Sequence, residues 1–181
     1  MKRRTAIRQL VYITGGTLLI PACLNREDKA TLSLTNISVT GSQEKLVAEL
    51  AETIIPQTTT PGAKAIGAPL FIWTMLNDCY AKEDQQRFMG GLVAFDKAYS
   101  DGNERSFLES DTTQRIAFLT KLSAEKDKKS DIHYFASNAR KLTIQAYTNS
   151  KYFLTEVEPY ELIPGRFKGC VPVQKNNTKK A

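Results

Sequence analysis

Apolar residues recur at intervals of three and four through most of the chain, which is the period of one face of an α-helix. In the first such stretch the apolar stripe includes Leu46, Val47, Leu50 and Ile54. Four later stretches repeat the period. The pattern therefore predicts five helices, over residues 42–55, 69–80, 82–99, 112–122 and 131–149.

Capping and helix-breaking residues mark several of these helix ends. Thr40 or Ser42 can cap the first helix, and Pro56 ends it. Asp111 and Gln114 have the spacing of a capping box, in which each side chain satisfies the backbone N–H of the other residue. Because these signals agree with the hydrophobic period, the sequence favours an all-α fold.

Two adjacent glycines, Gly90 and Gly91, lie in the middle of the third predicted helix. Glycine inside a helix costs stability because the unfolded backbone is unusually free. The pair is therefore expected where a neighbouring helix packs too closely for a side chain.

The segments that flank the helices lack the helical period. Residues 31–39 predict one short β-strand or an extended docking segment. Residues 150–173 contain three prolines and two glycines and predict an irregular segment, followed by a disordered tail over residues 174–181. We find no internal repeat. The predicted architecture is one orthogonal bundle of about five helices within residues 42–173, with a short extended segment before it.

The first 22 residues have the pattern of an export signal. Basic residues precede an apolar stretch over residues 9–22, which is shorter than the roughly 20 residues needed to span a bilayer. Arg3 and Arg4 resemble a twin-arginine signal, although Ala6 stands where a large apolar residue is usual. An ordinary secretory signal is the alternative.

Ile20, Pro21 and Ala22, directly before Cys23, resemble a bacterial lipobox, whose cysteine is acylated and becomes the new N-terminus. A chance cysteine is the alternative. A lipidated Cys23 would make residues 23–41 a tether and extended segment. The expected location is then the periplasm of a Gram-negative-type envelope, on a membrane.

The excess of basic residues is concentrated at the N-terminus of the chain. The formal net charge is +6, but residues 1–22 contain four basic residues and no acidic residue. The remaining chain has 21 Lys and Arg against 19 Asp and Glu. This near balance excludes the basic surface of a nucleic-acid-binding protein, so no nucleic-acid partner is expected.

The chain offers little material for catalysis. His133 is the only histidine, which leaves almost nothing for histidine metal sites or for Ser-His and Cys-His pairs. A helix-packing role for His133 is far more common. No glycine-rich phosphate loop follows a strand. We therefore expect no catalytic residue, no metal site and no cofactor bound by this chain.

Besides Cys23, the chain has two cysteines, Cys79 and Cys170. In an oxidising compartment an even pair usually forms a disulfide, which here would tie the irregular C-terminal segment to the second helix. Two buried thiols, or a bridge to another chain, are the alternatives.

Aromatic residues concentrate near the end of the chain. Aromatics together with arginine are common at protein interfaces, and covering the open end of the bundle is the equally common structural role. The candidate interface residues are Tyr152, Phe153, Tyr160, Arg166 and Phe167, next to Tyr147.

Three segments together resemble the gluconate 2-dehydrogenase subunit 3 family. They are ETIIPQTTTPGAKAIGAP at Glu52–Pro69, LNDCYAKEDQQRFMGGL at Leu76–Leu92 and PGRFKGCVPV at Pro164–Val173. The resemblance extends over about residues 42–173.

This resemblance implies a small, non-catalytic subunit of a periplasmic, membrane-associated dehydrogenase. In such complexes a large FAD-containing subunit of the glucose–methanol–choline oxidoreductase type oxidises a sugar or sugar acid. A cytochrome c subunit often receives the electrons. The family's matched cysteines fall on Cys79 and Cys170, which supports a bridge between them. Members often carry a twin-arginine signal, which suits Arg3 and Arg4, whereas the lipobox departs from the family and points to a lipid as the anchor.

The resemblance therefore implies that the chain escorts the folded, FAD-loaded catalytic subunit through the export channel, stabilises it and holds it on the membrane. A stand-alone envelope lipoprotein with a binding or structural role is the alternative from a different class. An enzyme that uses scattered carboxylates is the least supported hypothesis.

Overall fold

The computed structural model describes residues 29–103, 105–125, 129–158, 160–161, 165 and 170. These residues form five α-helices and one π-helical turn. The helices are α1 (Gly41–Ile54), α2 (Ala68–Cys79), α3 (Lys82–Gly102), α4 (Thr112–Ala124) and α5 (Asp131–Thr148), and the π-helical turn is Phe153–Val157. The all-α fold and its five predicted helices are thus confirmed.

The predicted capping residues begin two of these helices. Thr40 caps α1 and exchanges side-chain and backbone hydrogen bonds with Gln43, and Asp111 does the same with Gln114 at the start of α4. In each helix the exchange satisfies backbone N–H groups that have no partner within the helix. The sequence signal and the structure agree at these ends.

Two predicted boundaries were wrong. The third helix was predicted to end at residue 99, but α3 continues to Gly102, and the Asn103 Nδ2 then donates to the Tyr99 carbonyl at 2.7 Å. The segment after α5 was expected to be irregular, but Phe153–Val157 forms a π-helical turn, in which the Glu158 N–H donates to the Phe153 carbonyl at 2.8 Å.

The core of the bundle is built around α5, which packs against α3, α2 and α1. Aromatic rings fill its centre, in edge-to-face contacts with centroids about 5–6 Å apart, a favourable arrangement for ring quadrupoles. The largest fully buried aromatic side chains are Trp73, Phe88, Phe95, Tyr99, Phe107 and Phe135. This continuous cluster makes the helices one cooperative unit.

The glycine pair on α3 marks the closest helix crossing. A β-carbon on Gly91 would collide with the Asp131 backbone and stand 2.7 Å from the Phe135 Cβ, whereas a β-carbon on Gly90 would meet nothing within 4 Å. The expected close approach is therefore confirmed at Gly91, and Gly90 faces open space.

Residues 29–40 form an extended segment, called the strap here, which lies across the bundle. One isolated antiparallel bridge joins Lys29 to Thr40. The Glu44 carboxylate accepts the N–H groups of Thr31 and Leu32 at 3.0 and 2.7 Å. Of the two predicted forms, strand or extended docking segment, the second describes the strap.

The far end of the strap is held by the C-terminal end of α2. The Asn36 N–H donates to the Asn77 Oδ1 at 2.9 Å, and the Asn36 Nδ2 donates to the Asn77 carbonyl at 2.8 Å. Beneath this contact, the buried Gln85 Nε2 lies 3.0 to 3.2 Å from the carbonyls of Leu76, Asn77 and Tyr80. Gln85 thereby satisfies carbonyls that the helix end leaves without a partner.

Candidate partner-binding surface

Aromatic residues at the end of α5 and after it form a partly exposed patch, called the terminal aromatic surface here. The Tyr147 ring contacts the rings of Tyr152 and Phe153 edge to face, with centroids 6.3 and 6.2 Å apart. Val157, the last residue of the π-helical turn, is 52% exposed, and Tyr160 beyond the turn is 66% exposed. Single-turn π-helices are frequent at functional sites because they reorient side chains. Two of the predicted interface residues, Tyr152 and Phe153, thus lie against Tyr147. A third, Tyr160, is tied to the same segment by its N–H, which donates to the Leu154 carbonyl at 2.9 Å.

The expected disulfide is not formed. Cys79 and Cys170 are both free and exposed. Cys79 is the last residue of α2, so its thiol lies at the surface rather than in the core. The prediction assumed that two cysteines in an oxidising compartment form a disulfide with each other. A disulfide also requires that the two Cα atoms lie within about 7 Å of each other.

The loop between α1 and α2, which supplies the most distinctive sequence segment, is organised by one carboxylate. The Glu52 side chain accepts the Gln57 N–H at 2.9 Å and the Lys64 N–H at 2.8 Å. Gly62 lies against this carboxylate with no room for a β-carbon, and Gly67 has a left-handed φ of 78° before α2 begins. The segment therefore has a structural role in joining two helices.

A second carboxylate, Glu49, connects α1 to the same loop and to α4. It accepts a hydrogen bond from the Lys64 Nζ and one from the Arg115 Nη1, the latter at 2.7 Å. Arg115 is buried and also donates to the Phe107 and Leu108 carbonyls. Partial burial raises the pKa of Glu49, but the hydrogen bonds and charges of Lys64 and Arg115 outweigh it and leave the pKa below its usual 4.5.

A polar cluster outside the core joins α3 to α5. The Tyr134 Oη donates to the Asp84 Oδ1 at 2.9 Å, and the Arg87 guanidinium lies 4.4 Å from the centroid of the Tyr134 ring. Burial, together with the hydrogen bond to Asp84, raises the pKa of Tyr134 to about 12. A phenol held protonated in this way suits a structural clamp rather than proton transfer at neutral pH.

His133 is a helix-packing residue, as its position in the sequence favoured. It is buried, and its Nε2 lies 3.4 Å from the Glu125 Oε2. Among the residues that the structure describes, no group of His, Cys, Asp and Glu side chains could hold a metal ion.

Within the described part of the chain, no helix has the length and apolar character required to cross a membrane.

The model of the family described as gluconate 2-dehydrogenase subunit 3 matches residues 41–165, more than two thirds of the chain. The chain belongs to the gluconate 2-dehydrogenase subunit 3 family. The match begins at the first residue of α1 and includes all five helices and the π-helical turn. No curated protein and no solved structure matches the chain.

The family match covers the helical bundle itself. Its name indicates association with the catalytic subunit of a dehydrogenase complex. Within the matched residues, the loop at Glu52 and the close crossing at Gly91 are structural features of the bundle. Arg3, Arg4, Cys23, Arg166 and Phe167 lie outside the described residues, and the predictions made for them stay predictions.

Sequence analysis missed a groove between α1, α4 and α5. Two of its side chains, Ile116 and Ile144, are large, apolar and exposed. Ile144 is exposed on α5, outside the set of α5 residues that are buried in the core. An isoleucine on the outer face of an amphipathic helix is the sequence signal that could have indicated the groove.

Proposed function

We propose that this chain is the non-catalytic small subunit of a periplasmic, membrane-bound, FAD-dependent dehydrogenase of the glucose–methanol–choline type. The catalytic subunit binds FAD and oxidises a sugar or sugar acid, and a cytochrome c subunit receives the electrons. This chain escorts the folded catalytic subunit during export, stabilises it and anchors it to the membrane.

The family match over all five helices is the observation that carries this proposal. A subunit of this kind needs a surface that recognises its partner. The terminal aromatic surface meets that need, because Val157 and Tyr160 are exposed and follow the ring cluster within a few residues of the sequence. Aromatic residues are enriched at the centres of protein interfaces. Arg166 and Phe167 extend the proposed interface along the sequence.

The anchoring role is supported by the distance along the chain between Cys23 and the bundle. Only residues 24–28 separate Cys23 from the strap, and five extended residues reach at most about 20 Å. Each buried methylene of a lipid contributes about 0.8 kcal/mol, so several acyl chains hold a domain firmly on a membrane. A lipid on Cys23 would therefore keep the bundle, and any bound dehydrogenase, close to the bilayer.

Co-expression with the flavoprotein dehydrogenase from the same genome tests this proposal. The full chain, tagged at its C-terminus, is extracted from membranes in mild detergent and purified. We expect a yellow complex with the absorbance of FAD, dehydrogenase activity and both chains in a fixed ratio. A colourless chain without the flavoprotein would contradict the proposal and favour a stand-alone lipoprotein.

Two variants separate the roles within the proposal. Substituting Arg3 and Arg4 with lysine should leave both chains in the cytoplasm, because the twin-arginine pair is the export signal. Cys23→Ser should release an intact complex from the membrane into the soluble periplasm. A complex that remains on the membrane in Cys23→Ser would overturn the lipid anchor but not the subunit role.

A further inference from the structure

A groove between α1, α4 and α5 has a volume of about 850 Å³. Its floor is the side of α1 that carries Leu50 and Ile54, and Leu119 and Ile116 of α4 form one wall. Ile144 of α5 stands on the opposite wall. Helix α4 packs against α1, and its Phe118 contacts Phe95 of α3. Helix α5 packs mainly against α3 and α2. The groove is the space that this arrangement leaves between α4 and α5.

The two walls expose apolar side chains to solvent. Ile116 is 48% exposed and Ile144 is 43% exposed. Single exposed apolar residues are ordinary, but two isoleucines that face one apolar groove form a patch of the kind that marks interaction sites. The groove thus offers apolar surface that the bundle itself leaves uncovered.

The charge on the rim of the groove has one sign. Arg140 and Lys141 of α5 line it, and no Asp or Glu does so within the described chain. Among the nearby carboxylates, Glu49 pairs with Lys64 and Arg115, and Glu52 accepts the loop N–H groups. Glu125 lies outside the lining, with its Oε2 3.4 Å from the Nε2 of the lining residue His133. Helix α4 contains no acidic residue. An occupant of the groove is therefore favoured if it carries apolar side chains and at least one carboxylate.

An apolar centre with charge confined to the rim is the usual arrangement of protein interfaces. Amphipathic helices bind such grooves by laying their apolar face on the floor. We infer that this groove binds an acidic, amphipathic segment of the dehydrogenase catalytic subunit. The inference rests on the proposed function and adds a second contact to the terminal aromatic surface, with the carboxylates of the segment facing Arg140 and Lys141.

The test uses the co-expressed complex of the full chain with its flavoprotein. Ile144→Asp places a charge in the apolar groove and should weaken binding about tenfold or more. Val93→Asp, at a valine of α3 that is 57% exposed and does not line the groove, is the matched control and should bind normally.

Exchanging Arg140 and Lys141 for glutamate should weaken binding more at low salt than at high salt. The same exchange at Lys82 and Lys97, exposed on α3, is the charge control.

A photo-crosslinking residue at position 144 identifies the occupant without a destabilising substitution. Crosslinks to one acidic segment of the flavoprotein, absent when the same residue stands at position 93, would support the inference. Crosslinks to a second copy of this chain, to its own terminal segment or to lipid would overturn it.

Failure of the inference is distinguishable from failure of the proposed function. If the parent chain does not purify with the flavoprotein, the proposed function fails. If the parent complex forms, thermal melting shows that the groove variants are folded, and these variants bind as tightly as the parent, only the groove inference fails.

Discussion

Gly91 of α3 lies so close to the backbone of Asp131 that a β-carbon at position 91 would overlap its carbonyl group. The Arg87 Nε, one turn earlier on α3, donates to the Asp131 Oδ1 at 3.0 Å. A backbone contact and a side-chain contact thus meet at the first residue of α5. The start of α5, and through it the packing of the central helix, depends on the absence of a side chain at position 91.

We therefore expect Gly91→Ala to lower the free energy of unfolding by about 3 kcal/mol, because overpacking at a helix crossing forces the helices apart. Gly90→Ala is the control, and it should stabilise the protein by about 0.5–1 kcal/mol because alanine favours the helix and meets nothing there. Urea unfolding followed by circular dichroism measures both values. Equal effects at the two positions would contradict the close crossing.

Gln85→Ala should destabilise the protein by about 1–3 kcal/mol, because it leaves buried carbonyls at the end of α2 without their donor. Gln86→Ala, at the exposed neighbour on the same helix, is the matched control and should change stability by less than about 0.5 kcal/mol. Thermal and urea unfolding compare the two. A Gln85→Ala variant as stable as Gln86→Ala would show that water replaces the lost donor.

The hydrogen bonds of Glu49 predict a dependence of stability on pH. Its pKa in the folded protein lies below the usual 4.5, so folding favours the charged carboxylate. The resulting stabilisation is fully present above pH 4.5 and is lost as the pH falls through the lowered pKa. In Glu49→Gln the unfolding free energy should fall less steeply over this acid range. Glu83→Gln, at an exposed carboxylate of α3, is the comparison variant.

Asn77→Ala should release the strap while leaving the bundle folded. The Asn36 N–H loses its acceptor in this variant, so its amide should exchange with solvent much faster. Hydrogen exchange read by mass spectrometry over residues 29–40 measures the change, and residues of α5 serve as the internal reference. Unchanged protection of the strap would mean that the Glu44 contacts alone hold it.

Much of the fold follows from the sequence because its determinants are local. Helical periodicity, a capping residue before α1 and one capping box at α4 located the helices, since these signals depend on residues three or four positions apart. The same period could have distinguished the two glycines: Gly91 lies on the stripe of Phe88 and Phe95, and Gly90 does not. The loop between α1 and α2 was recognisable from the sequence, but the role of the Glu52 carboxylate in organising it was not. The hydrogen-bond partners of a carboxylate depend on how the folded chain brings the loop back to the helix.

Long-range relationships account for the rest. The contact of Asn36 with Asn77 spans 41 residues, and neither residue carries a pattern that points to the other. The Cys79–Cys170 disulfide was predicted from the number of cysteines and the compartment, without knowledge of where the thiols lie. For the binding surfaces, aromatic composition indicated the terminal surface. The groove depends on how α4 and α5 diverge, and its sequence signal is limited to an isoleucine on the outer face of α5.

The contact between Asn36 and Asn77 also imposes an order of events on folding. The strap is synthesised before α1 and α2, yet its acceptor exists only after both helices have formed and packed, so the strap docks late. A chain still folding therefore leaves the apolar side chains of the strap, Leu32 and Leu34 among them, without their contacts to the core. Docking of the strap therefore covers apolar side chains that an incompletely folded chain would leave open to association with other chains.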